Sequence, residues 1–166
     1  LISASGASAF PVYAFSGTEA LNEPFEFSIE LVFRNSALET TAFLGKQGLL
    51  TIFDRGKGQR WVHGHVRQME QLHTANSFTH YRCLLVPRRW FLGQTVEHKI
   101  YQQLSVIEII EEVLQNHKFT EESYAFAVQA EYPKRDYCVQ YRESDLAFIS
   151  RLCEEEGIIF RFDHTA

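Results

Sequence analysis

A chain of 166 residues with 45% apolar and 22% charged side chains has the composition of one globular domain, or of one domain and much of another, and excludes a disordered chain. Its net charge of −5, with 16 Lys and Arg against 21 Asp and Glu, argues against nucleic acid as a partner, which draws on a basic face. No apolar run approaches the roughly 20 residues of a membrane span, and three cysteines without short spacing read as reduced thiols of a cytoplasmic protein.

The chain starts Leu1-Ile2-Ser3, without the basic and apolar stretches of a signal peptide. It has no initiator Met there, which reads as a piece of something longer. Phe10 to Phe15 reads as a strand. From Phe25 to Phe33, apolar residues at every second position predict a strand with one buried face, and Pro24 stands at its entrance. Ala37 to Leu44 reads as one short helix. Leu49 to Phe53 and Trp61 to Met69 read as two strands joined by a hairpin turn at Asp54-Arg55-Gly56-Lys57-Gly58-Gln59. Phe78 to Val86 is the next strand, closed by Pro87. Strands joined by short polar turns predict a small antiparallel sheet or barrel over about residues 1–95.

The pattern changes after Leu92. Ser105 and Glu108 form a capping box. Behind it Val106, Ile109, Ile110, Val113 and Leu114 share one helix face, with Glu108, Glu111, Glu112 and Gln115 outward. Tyr132-Pro133 breaks regularity, and Tyr137 to Tyr141 reads as a strand. Ser144 or Asp145 can cap a second helix with Leu146, Ile149, Leu152 and Cys153 on one side, and Gly157 is placed to end it. Ile158 to Phe162 reads as a last strand.

Candidate chemistry is sparse. His63 and His65 share a strand face and could hold a metal with His73 or His80, or be polar side chains on a sheet face. Cys83, Cys138 and Cys153 could be nucleophiles, but none stands at a helix N-terminus, and buried Cys is a small hydrophobe. No nucleophile elbow, phosphate loop or His-Glu-x-x-His helix is present. Arg88-Arg89-Trp90-Phe91 could bind a partner or clamp a strand end within the fold. Glu154, Glu155 and Glu156 end the second helix, where negative charge opposes the helix dipole. Arg151 can pair with Glu155, with Arg142 and Arg161 nearby in sequence. A local rule broken without local gain marks Glu154, Glu155, Glu156, Arg142 and Arg151 as candidate interface residues. These residues predict no catalytic site, metal or cofactor.

The stretch from Tyr137 to Phe162, through Arg142-Glu143-Ser144-Asp145 and Glu154-Glu155-Glu156-Gly157, resembles a signature of the VgrG family, the spike proteins of type VI secretion. Gly17 to Phe27, Phe43-Leu44-Gly45-Lys46, His63-Gly64, Tyr81 to Pro87 and Ser105 to Leu114 fit the same family in order. The resemblance implies an α+β fold, mainly β and phage tail hub-like. A small antiparallel β-barrel over 1–95 precedes an α+β segment over 96–166 that leads toward a second barrel absent from this chain. It implies a structural, non-enzymatic hub of a membrane-puncturing spike used in effector delivery. The full protein would be a homotrimer, symmetry-matched to a hexameric Hcp tube and in contact with baseplate proteins. It would assemble in the cytoplasm, leave through the type VI apparatus without a signal peptide, and touch membrane only during puncture. A prophage contractile-tail hub is an alternative in the same class. A metal- or thiol-dependent enzyme, and a carbohydrate- or peptide-binding module with exposed aromatics, are alternatives in others.

Overall fold

Alternating apolar and polar side chains build most of the first half of the chain. The structure is a computed structural model and describes residues 2–4, 10–34, 37–54 and 58–164. Contacts divide the chain into two units, residues 1–88 with 161–166 and residues 89–160. The sequence reading puts the change of character after Leu92 and the end of the barrel-like part near residue 95.

In the first unit, six strands form one sheet: β1 (Ile2–Ala4), β2 (Val12–Thr18), β3 (Glu26–Arg34), β4 (Gln47–Asp54), β5 (Gly58–Ala75) and β6 (Phe78–Val86). Their order is β1-β4-β5-β6-β3-β2, every neighbouring pair antiparallel, and the sheet curls into a half-barrel. β1 and β2 are its edges. Two register shifts in β5, at Arg67 and Leu72, are bulges, which increase local twist and help the sheet curl. The core is the concave set Phe27, Ile29 and Leu31 from β3, Leu50 from β4, Val62, Val66 and Met69 from β5, and Tyr81, Cys83 and Leu85 from β6. These are alternate residues of each strand on either side of the bulges, as the period of two requires. The central residues of the hairpin turn predicted before β5, 55–57, lie outside the described residues.

The short helix expected over 37–44 is only a 3₁₀ turn, Thr40–Phe43, with no buried residue. Its two threonines are weak helix formers, and Gly45 stops it with φ +72°. Gly45 N donates to Val66 O at 2.8 Å and Val66 N to Lys46 O at 2.9 Å. The Phe43-to-Lys46 motif thus docks beside the first β5 bulge. The Leu38 backbone N–H donates to the hydroxyl of fully buried Tyr81 at 3.0 Å, which satisfies a polar tip inside the core.

The second unit holds β7 (Val96–Tyr101), α1 (Val106–Asn116), β8 (Cys138–Ser144) and α2 (Asp145–Glu155), with β7 and β8 antiparallel. The capping box is complete: the Glu108 N–H donates to Ser105 Oγ at 3.3 Å and the Ser105 N–H to Glu108 Oε2 at 2.7 Å. α1 buries the five side chains its spacing predicts. Ser144 caps α2, and Gly157 ends it at φ +66° while the Ile158 N–H reaches back to Cys153 O at 2.8 Å. At the start of α2, buried Asp145 accepts from Gln140 Nε2 at 2.7 Å and lies 2.5 Å from His117 Nε2, so a buried carboxylate is paired on both oxygens.

Two expectations change. The last strand predicted at Ile158 to Phe162 is irregular chain. Ile158 and Phe160 pack toward the core of the second unit and Phe162 toward that of the first. The α2 face is centred on Phe148, fully buried, while Leu146 is only half-buried.

Candidate functional site

The charge conflict at the end of α2 has a local answer. Arg135, in the loop before β8, places Nη1 2.9 Å from Glu155 Oε2 and Nη2 2.5 Å from Glu156 Oε1. Arg151 joins Glu155 at 2.8 Å to Glu143 at 2.7 Å and donates to Val139 O at 3.1 Å. Two backbone hydrogen bonds of 2.9 Å, Gln103 N to Arg135 O and Arg135 N to Leu104 O, fix the Arg135 position. The cation sits where the helix dipole favours one. Hydrogen bonds from Arg135, and then from Arg151, hold the Glu155 carboxyl below the usual carboxylate range. The same carboxylates raise both guanidinium groups, Glu156 foremost for Arg135 and Glu143 for Arg151.

The structure therefore brings Glu155, Glu156 and Arg151 together and adds Arg135 and Glu143. Arg142 is not in the network: it forms a bulge in β8 at φ +52°, with its guanidinium 5.3 Å from the Tyr141 ring centre. Glu154 is exposed and makes no ion pair with the described residues. Arg161 belongs to the first unit. Arg135 escapes a sequence reading because no spacing rule links a loop cation to a helix end twenty residues later. Replacing Arg135 with Gln should cost about 1–2 kcal/mol, on the order of two charge-assisted hydrogen bonds discounted for solvent. Urea denaturation at low and high salt checks this. The loss should shrink at high salt, and unchanged stability at low salt would show that the network contributes nothing.

Beside this network lies an apolar sheet face. Tyr101, Cys138 and Gln140 point inward from β7 and β8. On the other face Ile100 stands opposite Val139, and His98 opposite Tyr141 with ring centres 5.2 Å apart. Val96, Ile100 and Tyr141 are each 62% exposed, and Tyr137, one strand period beyond Val139, is 68% exposed. The sequence reading identifies no exposed aromatic stripe; the register of β8 puts two tyrosines and a valine on one surface. Contiguous exposed apolar side chains of this kind mark interaction surfaces.

The alternative chemistries gain little. His63 and His65 do project from the same face of β5, since Val62, Gly64 and Val66 between and around them are buried. Burial lowers the pKa of His65, and the Arg88 charge adds to it. His73 and His80 instead stack on each other at 4.4 Å, with His80 Nδ1 2.6 Å from Glu30. Among the described residues, no three His, Cys, Asp or Glu side chains gather as metal ligands. All three cysteines are buried. Burial pushes the Cys83 thiol up to about 12 and raises Cys153, against a smaller opposite effect of Arg89. Neither favours the thiolate that nucleophilic chemistry needs. Arg89 is a clamp within its unit: it is 9% exposed, its guanidinium lies 3.6 Å from the Phe160 ring centre, and burial lowers its pKa to about 10.

With this geometry in view, relatives are informative. Residues 18–166 match the family described as phage tail baseplate hub. The chain is 42% identical over 158 residues to the type VI secretion system spike protein VgrG5 of Pseudomonas aeruginosa, covering 95% of this chain and 20% of that one. It is 36% identical to the spike protein VgrG3 of Vibrio cholerae, covering 93% of this chain and 16% of that one. This chain thus spans about a fifth or less of the length of these relatives. A solved E. coli component of the type VI secretion system, described as similar to T4 bacteriophage tail proteins, superposes with a TM-score of 0.91 at 30% identity over 98% of this chain and 45% of that one. A prophage tail protein of Shewanella oneidensis shares the fold, with a TM-score of 0.68 at 12% identity over 94% of this chain and 47% of that one. A half-barrel sheet followed by a helix-backed pair of strands, the matched motifs in order and the family match over residues 18–166 lead to one conclusion: the chain belongs to the phage tail baseplate hub family.

Proposed function

We propose that this chain is the structural hub module at the base of a type VI secretion spike and works through protein contacts rather than catalysis. The full protein forms a homotrimer whose hub matches a hexameric Hcp-like tube, contacts baseplate proteins and carries effectors outward. It assembles in the cytoplasm and leaves through the apparatus, meeting membrane only during puncture. No helix among the described residues is long and apolar enough to cross a membrane. The observation that carries the reading is the family match over residues 18–166, joined to relatives named as spike proteins. The exposed apolar face of β7 and β8 supports it, because an assembly module needs a surface to bury. Glu154 and Arg142, the two charged candidates outside the ion-pair network, are proposed for the rim of the same contact. A prophage tail hub would use the same physics; the high identity to spike proteins favours the secretion reading.

The test is a double variant, Ile100→Glu with Tyr141→Glu, in the full-length protein. Both side chains are exposed, so the fold should persist, with an unchanged far-ultraviolet spectrum. Two carboxylates on a face that must be desolvated should move the association midpoint at least about tenfold to higher concentration. Association identical to wild type in sedimentation velocity would show that this face is not a contact of the assembly.

A further inference from the structure

A cleft of about 310 Å³ opens on the first unit, lined by Glu19, Ala20, Leu21, Phe25, Arg161 and Phe162. Its floor is aromatic. Phe25 is 2% exposed, and the Phe162 ring stands edge-on to it at 5.4 Å. One wall is held rigidly. Glu19 is ion-paired with Arg60 and lies 3.1 Å from His164 Nε2. The other nitrogen of that ring, Nδ1, accepts from the His63 backbone N–H at 3.1 Å. With Nδ1 occupied as an acceptor, the ring proton sits on Nε2 and is donated to Glu19. Burial foremost, with the nearby Arg60 charge adding to it, lowers the His164 pKa. The charge of Glu19 is therefore answered by Arg60 and is not available to Arg161.

Arg161 lines the cleft and makes no ion pair with any described residue. Asp163, two residues on, lies outside the lining. The cleft thus combines an apolar floor with one uncompensated guanidinium. A guanidinium binds a carboxylate through two parallel hydrogen bonds. The volume is at the small end of ligand pockets and suits one large residue, not a chain passing through. An aliphatic or aromatic side chain and a carboxylate occur together on one residue at the end of a polypeptide.

We infer that this cleft captures the C-terminal residue of a partner protein, its apolar side chain on Phe25 and Phe162 and its terminal carboxylate on Arg161. The occupant is a peptide end rather than a free acid, because a tethered residue brings further contacts along the exposed rim at Leu21.

The experiment is a titration of the full chain, followed by ¹H–¹⁵N NMR, with acetyl-Ala-Phe and with its C-terminal amide. The acid should bind at least about tenfold more tightly than the amide and shift the amides of Leu21, Phe25 and Phe162. Arg161→Gln should abolish that preference, and Arg161→Lys should keep part of it. Arg161 is exposed, so both variants should retain the wild-type spectrum away from the cleft. Equal binding of acid and amide, shifts confined to other surfaces, or no binding of either at millimolar concentration would overturn the proposal. Equally tight binding of 3-phenylpropionate would assign the cleft to small apolar acids and overturn the choice of a peptide end.

Discussion

Replacing Phe148 with alanine is expected to destabilise the second unit by about 3–5 kcal/mol, the usual cost of deleting a fully buried aromatic ring. Phe148 has no exposed surface. Its ring stacks on Tyr101 at 5.5 Å and an interplanar angle of 20°, and the Arg151 guanidinium lies 5.3 Å from its centre. Tyr101 is the inward side chain at the end of β7, so Phe148 is the support on which the β7–β8 strand pair rests. A two-stranded sheet is marginal alone in water and needs such packing. Domains hold only about 5–15 kcal/mol in total, so the loss is a large fraction of what the unit has. Hydrogen exchange is the suitable readout: amides of β7, β8, α1 and α2 should lose protection. A loss under about 1 kcal/mol would mean that the core can collapse around the missing ring.

Gly64→Ala carries the second large effect, and its sign is the informative part. A methyl group in a strand interior ordinarily gains up to about 1 kcal/mol over glycine through lower chain entropy. Here the added carbon would lie 2.8 Å from Leu85 Cγ and 2.8 Å from the Val86 carbonyl oxygen. A leucine can turn aside, but the carbonyl belongs to β6, and moving it means moving the strand. The expected result is a net loss of about 1–3 kcal/mol, the range for overpacking a close-packed site. A thermal melt checks it, and a raised Tm would show that β5 and β6 can separate freely. The same contact explains why His63-Gly64 is a useful motif. The histidine points outward and is replaceable as far as packing goes; the glycine is where two strands approach too closely for a side chain.

The fold was legible wherever one face is buried. The run from Phe25 to Phe33 and the strand from Phe78 to Val86 stand at or within a residue of their expected bounds, because every second side chain enters the core. α1 was legible down to its cap, since five apolar residues at helical spacing and a Ser-x-x-Glu start leave little choice. β7 was not. Its outward side chains Val96 and Ile100 are apolar, its inward end is Tyr101, and charged or polar residues stand between. No period emerges from a strand with apolar residues on both sides. The candidate site was half legible. Broken dipole logic drew attention to Glu154, Glu155 and Glu156, but the cation that answers two of them, Arg135, comes from a loop whose placement depends on tertiary structure. The apolar face of β8 needed the register, because Tyr137, Val139 and Tyr141 look like core residues until Cys138 and Gln140 are seen to take that place. Family motifs pointed to the family, which residue chemistry alone did not.

A hub module of the proposed kind is made to assemble. The most direct measurement is the solution mass of the full-length protein by light scattering at micromolar concentration. A trimeric hub protein should have three times the mass of the single chain. A mass that stays at one chain across that range would contradict it.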